Sequence, residues 1–270
     1  MARTSGPETR EKLIRAAEEV FAAQGVDGAQ LRDIVKLAGQ SNPSAVQYHF
    51  GSRAGLLDAV MTGRQRRTEG ALEALLAERV QAQGPHDPHD PEDPHDPEDP
   101  HDPEDPHGPH DPHGPHDPPG PHDPPGPLYR AGPPGPRDLP LLLAALVDAE
   151  ASELRTGRGR RCLRISAQLS HESGVRTRTP HPTLAGTAYW HLIGRIEDCL
   201  AESLPEPVRL ERIDLALTLV GAAMADRARQ YLAGTEPLTG EELFRADLVA
   251  TTNALLTAAP PVPTTPKDTR

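Results

Sequence analysis

Residues 41–53, SNPSAVQYHFGSR, gather side chains suited to recognition rather than reaction. Ser44 brings a hydroxyl, Gln47 an amide with donor and acceptor side by side, Tyr48 a phenol, His49 an imidazole and Arg53 a guanidinium. None is spaced as a nucleophile beside its base. The chain holds no Ser-His-Asp pattern, no glycine-rich phosphate loop and no metal-ligand spacing on a helical or strand segment, so neither catalysis nor a cofactor is expected. A second chemically capable group, nine histidines from His86 to His122, is interleaved with ten Asp and three Glu. A third group comprises His171, His181, Tyr189, Trp190, His191, Arg195 and Met224 in the C-terminal half, and holds the residue types that line small-molecule pockets.

The first group can act only if something rigid presents it. Thr9 is placed to cap a helix running to Gln24, with Leu13, Ala17, Val20 and Phe21 on one face and Gly25 ending it in the left-handed conformation. Leu31, Ile34, Val35 and Ala38 predict a second helix over 31–38, stopped by Gly39. Asn42 as cap and Pro43 at the first position predict a third over 43–49, since proline's missing N–H would lack a partner there in any residue. Val46 and Phe50 pack this helix onto the first two and leave Ser44, Gln47, Tyr48 and His49 facing outward. That arrangement is a helix-turn-helix, whose last helix fits the major groove of a duplex. Ser52 then caps a fourth helix whose apolar pattern starts at Leu56, Leu57, Val60 and Met61 and continues to Val80.

An acidic balance, 40 Asp and Glu against 28 Lys and Arg, ordinarily argues against a nucleic-acid partner. Here the excess is local. Residues 85–127 carry −13 with neutral histidines, the remainder sums to +1, and residues 1–67 hold ten basic against seven acidic side chains. In 85–127 proline recurs every third residue, which forbids helix and sheet and matches the period of polyproline II; the segment reads as a low-complexity, disordered spacer. Its histidines invite a metal-binding or pH-responsive reading, in which protonation of all nine changes its charge from −13 to −4. Adjacent triplets about 9 Å apart along polyproline II oppose a tight metal site. The plain alternative is a passive insertion. Cys162 and Cys199 lack paired spacing, no leader-like segment opens the chain, and the longest apolar run, 139–147, is far short of a membrane span, so a cytoplasmic protein without membrane contact is expected.

Beyond the spacer, helical patterning predicts segments at about 139–155, 160–172, 183–204, 207–233 and 240–258, with Gly157 and Gly159 among the breakers. The fold class is therefore all-α. Its expected layout is a helix-turn-helix domain (1–53), a connecting helix (54–84), the spacer (85–137), a helical ligand-binding and dimerisation domain (138–259) and a disordered tail (260–270). The two last helices carry apolar stripes suited to pairing with a second copy.

The segments TREKLIRAAEEVFAAQGVDG (9–28), LRDIVKLAG (31–39) and SAVQYHFGSRAGLL (44–57) resemble TetR-family transcriptional regulators. The resemblance covers about the first 60 residues. It implies a homodimer that binds a palindromic operator, represses transcription, and releases DNA when a small-molecule effector enters the C-terminal domain. By position it implies base contacts by Pro43, Ser44, Ala45 and Gln47 and phosphate contacts by Tyr48, His49 and Arg53. Two features depart from the common pattern: the turn GQSNPS is one residue longer, and Gln30 stands where a capping Ser or Thr is usual.

Overall fold

The computed structural model describes residues 6–42, 44–82, 136–169 and 173–260. Pro43, His171, nearly all of the proline-rich spacer and the tail beyond 260 lie outside the described residues. Every regular element among the described residues is helical. In chain order they are α1 (Gly6–Gln24), α2 (Leu31–Leu37), α3 (Ser44–Phe50), α4 (Arg53–Ala82), α5 (Leu139–Ser152), α6 (Gly157–Ser166), α7 (Ala188–Leu200), α8 (Glu206–Leu232) and α9 (Glu241–Thr257), with 3-10 turns at Pro136–Asp138 and Glu153–Arg155.

Most stripe residues read from the sequence in the first four helices are buried, with Leu31, Leu57 and Met61 half-buried beside them. Leu13, Phe21, Ile34, Val46, Leu56 and Val60 form the centre of the N-terminal unit, and Cys162 and Ile165 of α6 complete it, so this unit is packed onto the rest of the chain. In the second half α5 is apolar almost all round, as a helix enclosed by others must be. Helices α4, α7, α8 and α9 surround it. Two ion pairs fasten α4 to this centre. Arg64 meets Glu150, both nearly withdrawn from water, and Arg67 holds the Glu153 carboxylate with two hydrogen bonds of 2.9 and 2.8 Å.

Three helix starts differ from the sequence pattern by three residues or more, each for a local reason. Helix α1 begins at Gly6, so Thr9 lies inside it and Glu8 occupies the first turn, where an anion complements the helix dipole. Gly157 and Gly159 do not break the chain; they form the first turn of α6, capped by Thr156 Oγ1, which accepts from the Gly159 N–H at 2.9 Å. A Cβ on Gly159 would stand 2.1 Å from the Glu153 carbonyl, so glycine serves close approach here. Helix α7 starts at Ala188 rather than near 183, because the stretch before it is spent in turns around Pro180 and Pro182, and Thr187 Oγ1 caps it by accepting from Trp190 N–H. The predicted ends at Gly25, with φ of +83°, and at Ser52, whose Oγ accepts from Gly55 N–H at 2.9 Å, are in place.

Cys162 and Cys199 are free and buried, and burial pushes each thiol up to about 11 from an ordinary 9.0. Between those two values the unfolded chain loses thiol protons that the folded chain keeps, so the unfolded state binds fewer protons and stability falls as pH rises. Two results are expected: a denaturation midpoint that declines from pH 9 towards 11, and a native chain that resists a disulfide-exchange thiol reagent at pH 8 until it is unfolded. Labelling of the native chain at the rate of a free cysteine would contradict the second.

Candidate nucleic-acid interface

Helix α3 is too short to hold itself, and its position is fixed at both ends. Asn42 Oδ1 accepts from the Ser44 N–H at 2.9 Å, supplying the cap read from the sequence. At its centre Val46 is buried in the core of the N-terminal unit. Phe50 closes the helix half-buried, with the Arg10 guanidinium 5.1 Å above its ring. The outward face follows from this anchoring. Ser44 and Gln47 are exposed, Tyr48 is 83% exposed, and Ala45 and His49 stand beside them, both half-buried. The Tyr48 and His49 rings meet edge to face at 4.9 Å, which limits the directions in which either can turn. A tyrosine this exposed contributes little to packing, yet it stands on a short helix anchored at its start, centre and end.

Arg53 is placed differently from its neighbours. Its Nε donates to the Ala29 carbonyl at 3.3 Å and its guanidinium lies 5.3 Å from the centre of the Phe21 ring, so it braces the start of α2 against α1, with Nη2 buried and unpartnered among the described residues. Gln30, at the N-cap position of α2, makes no side-chain cap. Around the face, Lys12, Arg15 and Arg32 pair with Glu8, Glu11 and Asp33. Loss of the α3 cap gives a direct check on this geometry. Asn42→Ala is expected to cost about 1 kcal/mol, read as a shift in the denaturation midpoint. An unchanged midpoint would mean that the cap does not hold α3.

A second candidate site is a hollow of about 160 Å³ enclosed by α4, α5, α7 and α8. Leu57, Met61, Leu169, Leu184, Ile193, Leu217 and Val220 supply its apolar wall, and the Arg64–Glu150 pair lies against it. Of the residues expected at a pocket, His181 and Tyr189 line this hollow. Trp190 packs half-buried against the core around α5 instead, His191 is exposed, Arg195 is half-buried elsewhere on α7, and Met224 is wholly enclosed in the core beneath α9. A helical stripe does not say whether it faces a void or a neighbouring helix, which is why sequence pattern groups these four with the other two. Burial first, and the Glu150 carboxylate second, push the Tyr189 phenol well above its usual range. The Arg64–Glu150 pair has a sequence signal of its own: each charge stands four residues after a buried apolar residue, Val60 and Leu146, on an otherwise apolar stripe.

Residues 13–60 match the TetR family of bacterial regulatory proteins. The match is confined to the N-terminal unit. Over 62 residues it is 45% identical to the HTH-type transcriptional regulator SrpR of Pseudomonas putida, a match covering 23% of this chain and 29% of that protein. The same identity over 62 residues relates it to the uncharacterized HTH-type transcriptional regulator TtgW, also of Pseudomonas putida, covering 23% of this chain and 46% of that protein. The uncharacterized HTH-type transcriptional regulator YdgC of Bacillus subtilis is 33% identical over 76 residues, 28% of this chain and 38% of that protein. Each match thus spans less than half of the relative. A solved structure of a TetR-family regulator from Mesorhizobium loti aligns over 94% of this chain and 98% of that one, at 14% identity and a TM-score of 0.40.

The TetR unit is tied to the remainder through α6. Arg158 reaches across to Glu18, with Nε 2.8 Å from Oε1, and to Glu11 at 3.4 Å. Gln168 Oε1 accepts from the Val26 N–H at 2.8 Å, in the turn that leads to α2. Helix α4 leaves the TetR unit directly and passes along the hollow with Leu57, Asp58, Met61, Arg64 and Gln65. The helix-turn-helix unit and the hollow are therefore joined through α4.

Proposed function

We propose that the chain is a transcriptional regulator that binds a palindromic operator as a homodimer, represses from it, and leaves it when a small molecule occupies the hollow beside α4. The observation that carries the reading is the outward face of α3 on a rigidly packed TetR unit. Gln47 has the planar amide that pairs with two positions on the edge of adenine, and Ser44 suits either base type. In this reading Pro43 and Ala45 join Ser44 and Gln47 as base contacts, Tyr48 and His49 reach backbone phosphates, and Arg53 adds its charge beside them. Phosphate contacts set register and salt dependence, and base contacts set sequence.

Dimerisation is assigned to the outer faces of α8 and α9, because Ile213, Val220, Met224, Leu248 and Leu256 of the stripes read from the sequence are buried within the protomer. Among the described residues, Leu215, Leu232 and Leu243 are exposed leucines on these two helices, with Ala222, Ala246 and Ala250 exposed between them. Such a surface of leucines and small residues allows two helices to approach two others closely. In the dimer the two α3 helices stand about 34–36 Å apart, one duplex turn. Selection of bound duplexes from a random pool should return a palindrome with half-sites at that spacing. Sedimentation should give a species of twice the chain mass. A non-palindromic winner, or a monomer on DNA, would refute the arrangement. Among the described residues no helix is long and apolar enough to cross a membrane.

A further inference from the structure

The hollow beside α4 has a mouth of distinct chemistry. Asp58, Gln65, His181 and Thr183 line both the hollow and a wider cleft of about 590 Å³ that opens to solvent. The inner part is apolar and comparable in size to a cavity of about 150 Å³ that holds benzene in another protein. Its two charges, Arg64 and Glu150, neutralise each other. The cleft is unbalanced: Asp58, Glu69 and Glu73 face Arg66 alone. Glu69 is already engaged, accepting from the Ala188 and Tyr189 N–H groups at the start of α7. Asp58 is exposed and makes no ion pair among the described residues. At the wall shared by the two spaces stands Gln65, only 7% exposed, with Nε2 directed at Glu69 Oε2 at 3.4 Å. That contact engages the amide N–H, and among the described residues no group donates to Gln65 Oε1. His181 Nδ1 is held by the Thr183 hydroxyl at 2.9 Å.

An acceptor without a donor, on a nearly buried side chain, and a carboxylate without a cation thus meet where the apolar hollow opens. One chemical group satisfies both, a charged N–H donor, while a carboxylate on the ligand would face repulsion from Asp58 and offer Gln65 no proton. We propose that hollow and cleft together bind a small amphipathic organic cation, its apolar body among Leu57, Met61, Ile193 and Val220 and its ammonium between Gln65 Oε1 and Asp58. The inference names the ligand class for the effector site and so rests on the reading of the hollow as that site.

Three probes of nearly equal size separate the possibilities on the full chain: 2-phenylethylammonium, 2-phenylethanol and phenylacetate, titrated calorimetrically near neutral pH. The ammonium should bind about tenfold more tightly than the alcohol, the scale of a hydrogen bond to a charged group, and phenylacetate should bind most weakly. Asp58→Asn, at an exposed position, should bring ammonium and alcohol to within about twofold. Gly221→Leu should abolish binding of all three, because a Cβ at Gly221 meets no atom within 4 Å and the added side chain enters the hollow. The proposal is overturned by an alcohol that binds as tightly as the ammonium, by an Asp58→Asn chain that keeps the wild-type ratio, by tightest binding of phenylacetate, or by no binding of any probe. Operator affinity, measured on the same samples with the selected duplex, is a separate readout. Binding with the expected ratios but without loss of operator affinity supports the cation site and refutes its role in release.

Discussion

A chain carrying Gln47→Ala and Tyr48→Ala is expected to lose at least about thirtyfold in operator affinity, since one base-pairing amide is worth about 1–3 kcal/mol per half-site and a homodimer loses it twice. Its folding should hardly change. Tyr48 is 83% exposed and Gln47 is exposed, while the residue that seats the helix, Val46, is untouched. Substitutions at such surface positions alter stability by within about 0.5 kcal/mol. The two single variants should differ in kind. Gln47→Ala should flatten the preference at one base pair of each half-site, because the lost contact is to a base edge. Tyr48→Ala should weaken all duplexes alike, because a phenol on a phosphate carries no sequence information. Band-shift titrations of both variants on the selected operator and on duplexes changed at single positions would read this. Affinities within about twofold of the unmodified chain for both variants would remove α3 as the reading element.

The second large effect concerns stability. Glu150→Ala should destabilise the chain by about 3–5 kcal/mol, the usual consequence of removing one partner of a buried ion pair. The reason lies in what is left behind. Arg64 keeps its charge at 7% exposure with no carboxylate to meet it, and the Tyr189 phenol loses the neighbour against which it is buried. The pair as a whole need not be strongly stabilising, because desolvation of both groups offsets much of their attraction. The double variant Arg64→Met, Glu150→Leu should therefore regain most of what Glu150→Ala loses. Urea denaturation of the three chains gives the comparison. A Glu150→Ala chain within about 1 kcal/mol of the unmodified one would show that the pair is more solvated than its burial indicates.

The spacing of Leu13, Ala17, Val20 and Phe21, of Ile34 and Val35, and of Val46 fixes which faces of three short helices are apolar, and thereby which face of α3 is left for Ser44, Gln47 and Tyr48. That part of the protein was legible because every relation in it is local. A cap sits two residues from the N–H it satisfies, and a stripe repeats within two turns. The longer-range outcomes were not legible in the same way. Periodicity places Tyr189 and Trp190 as equals on one helix, yet the packing of α7 against α4 and α5 turns the first into the hollow and the second into the core. Gly157 and Gly159 look like breakers until Glu153, folded back against Gly159, shows that close approach is what the glycine permits.

Arg64 and Glu150 are 86 residues apart, with the whole spacer between them, and no local rule pairs them. The same holds for Arg158 with Glu18 and for Gln168 with Val26. What the sequence alone determined is the helical class, the outward face of α3 and the family resemblance of its N-terminal unit, since these follow from hydrogen bonds and apolar contacts between near neighbours. What only the tertiary structure decided is the hollow, the ion pair beside it and the seating of the TetR unit on α6. Those depend on which helices come together, and that is set by the total apolar area they bury rather than by any short stretch of residues.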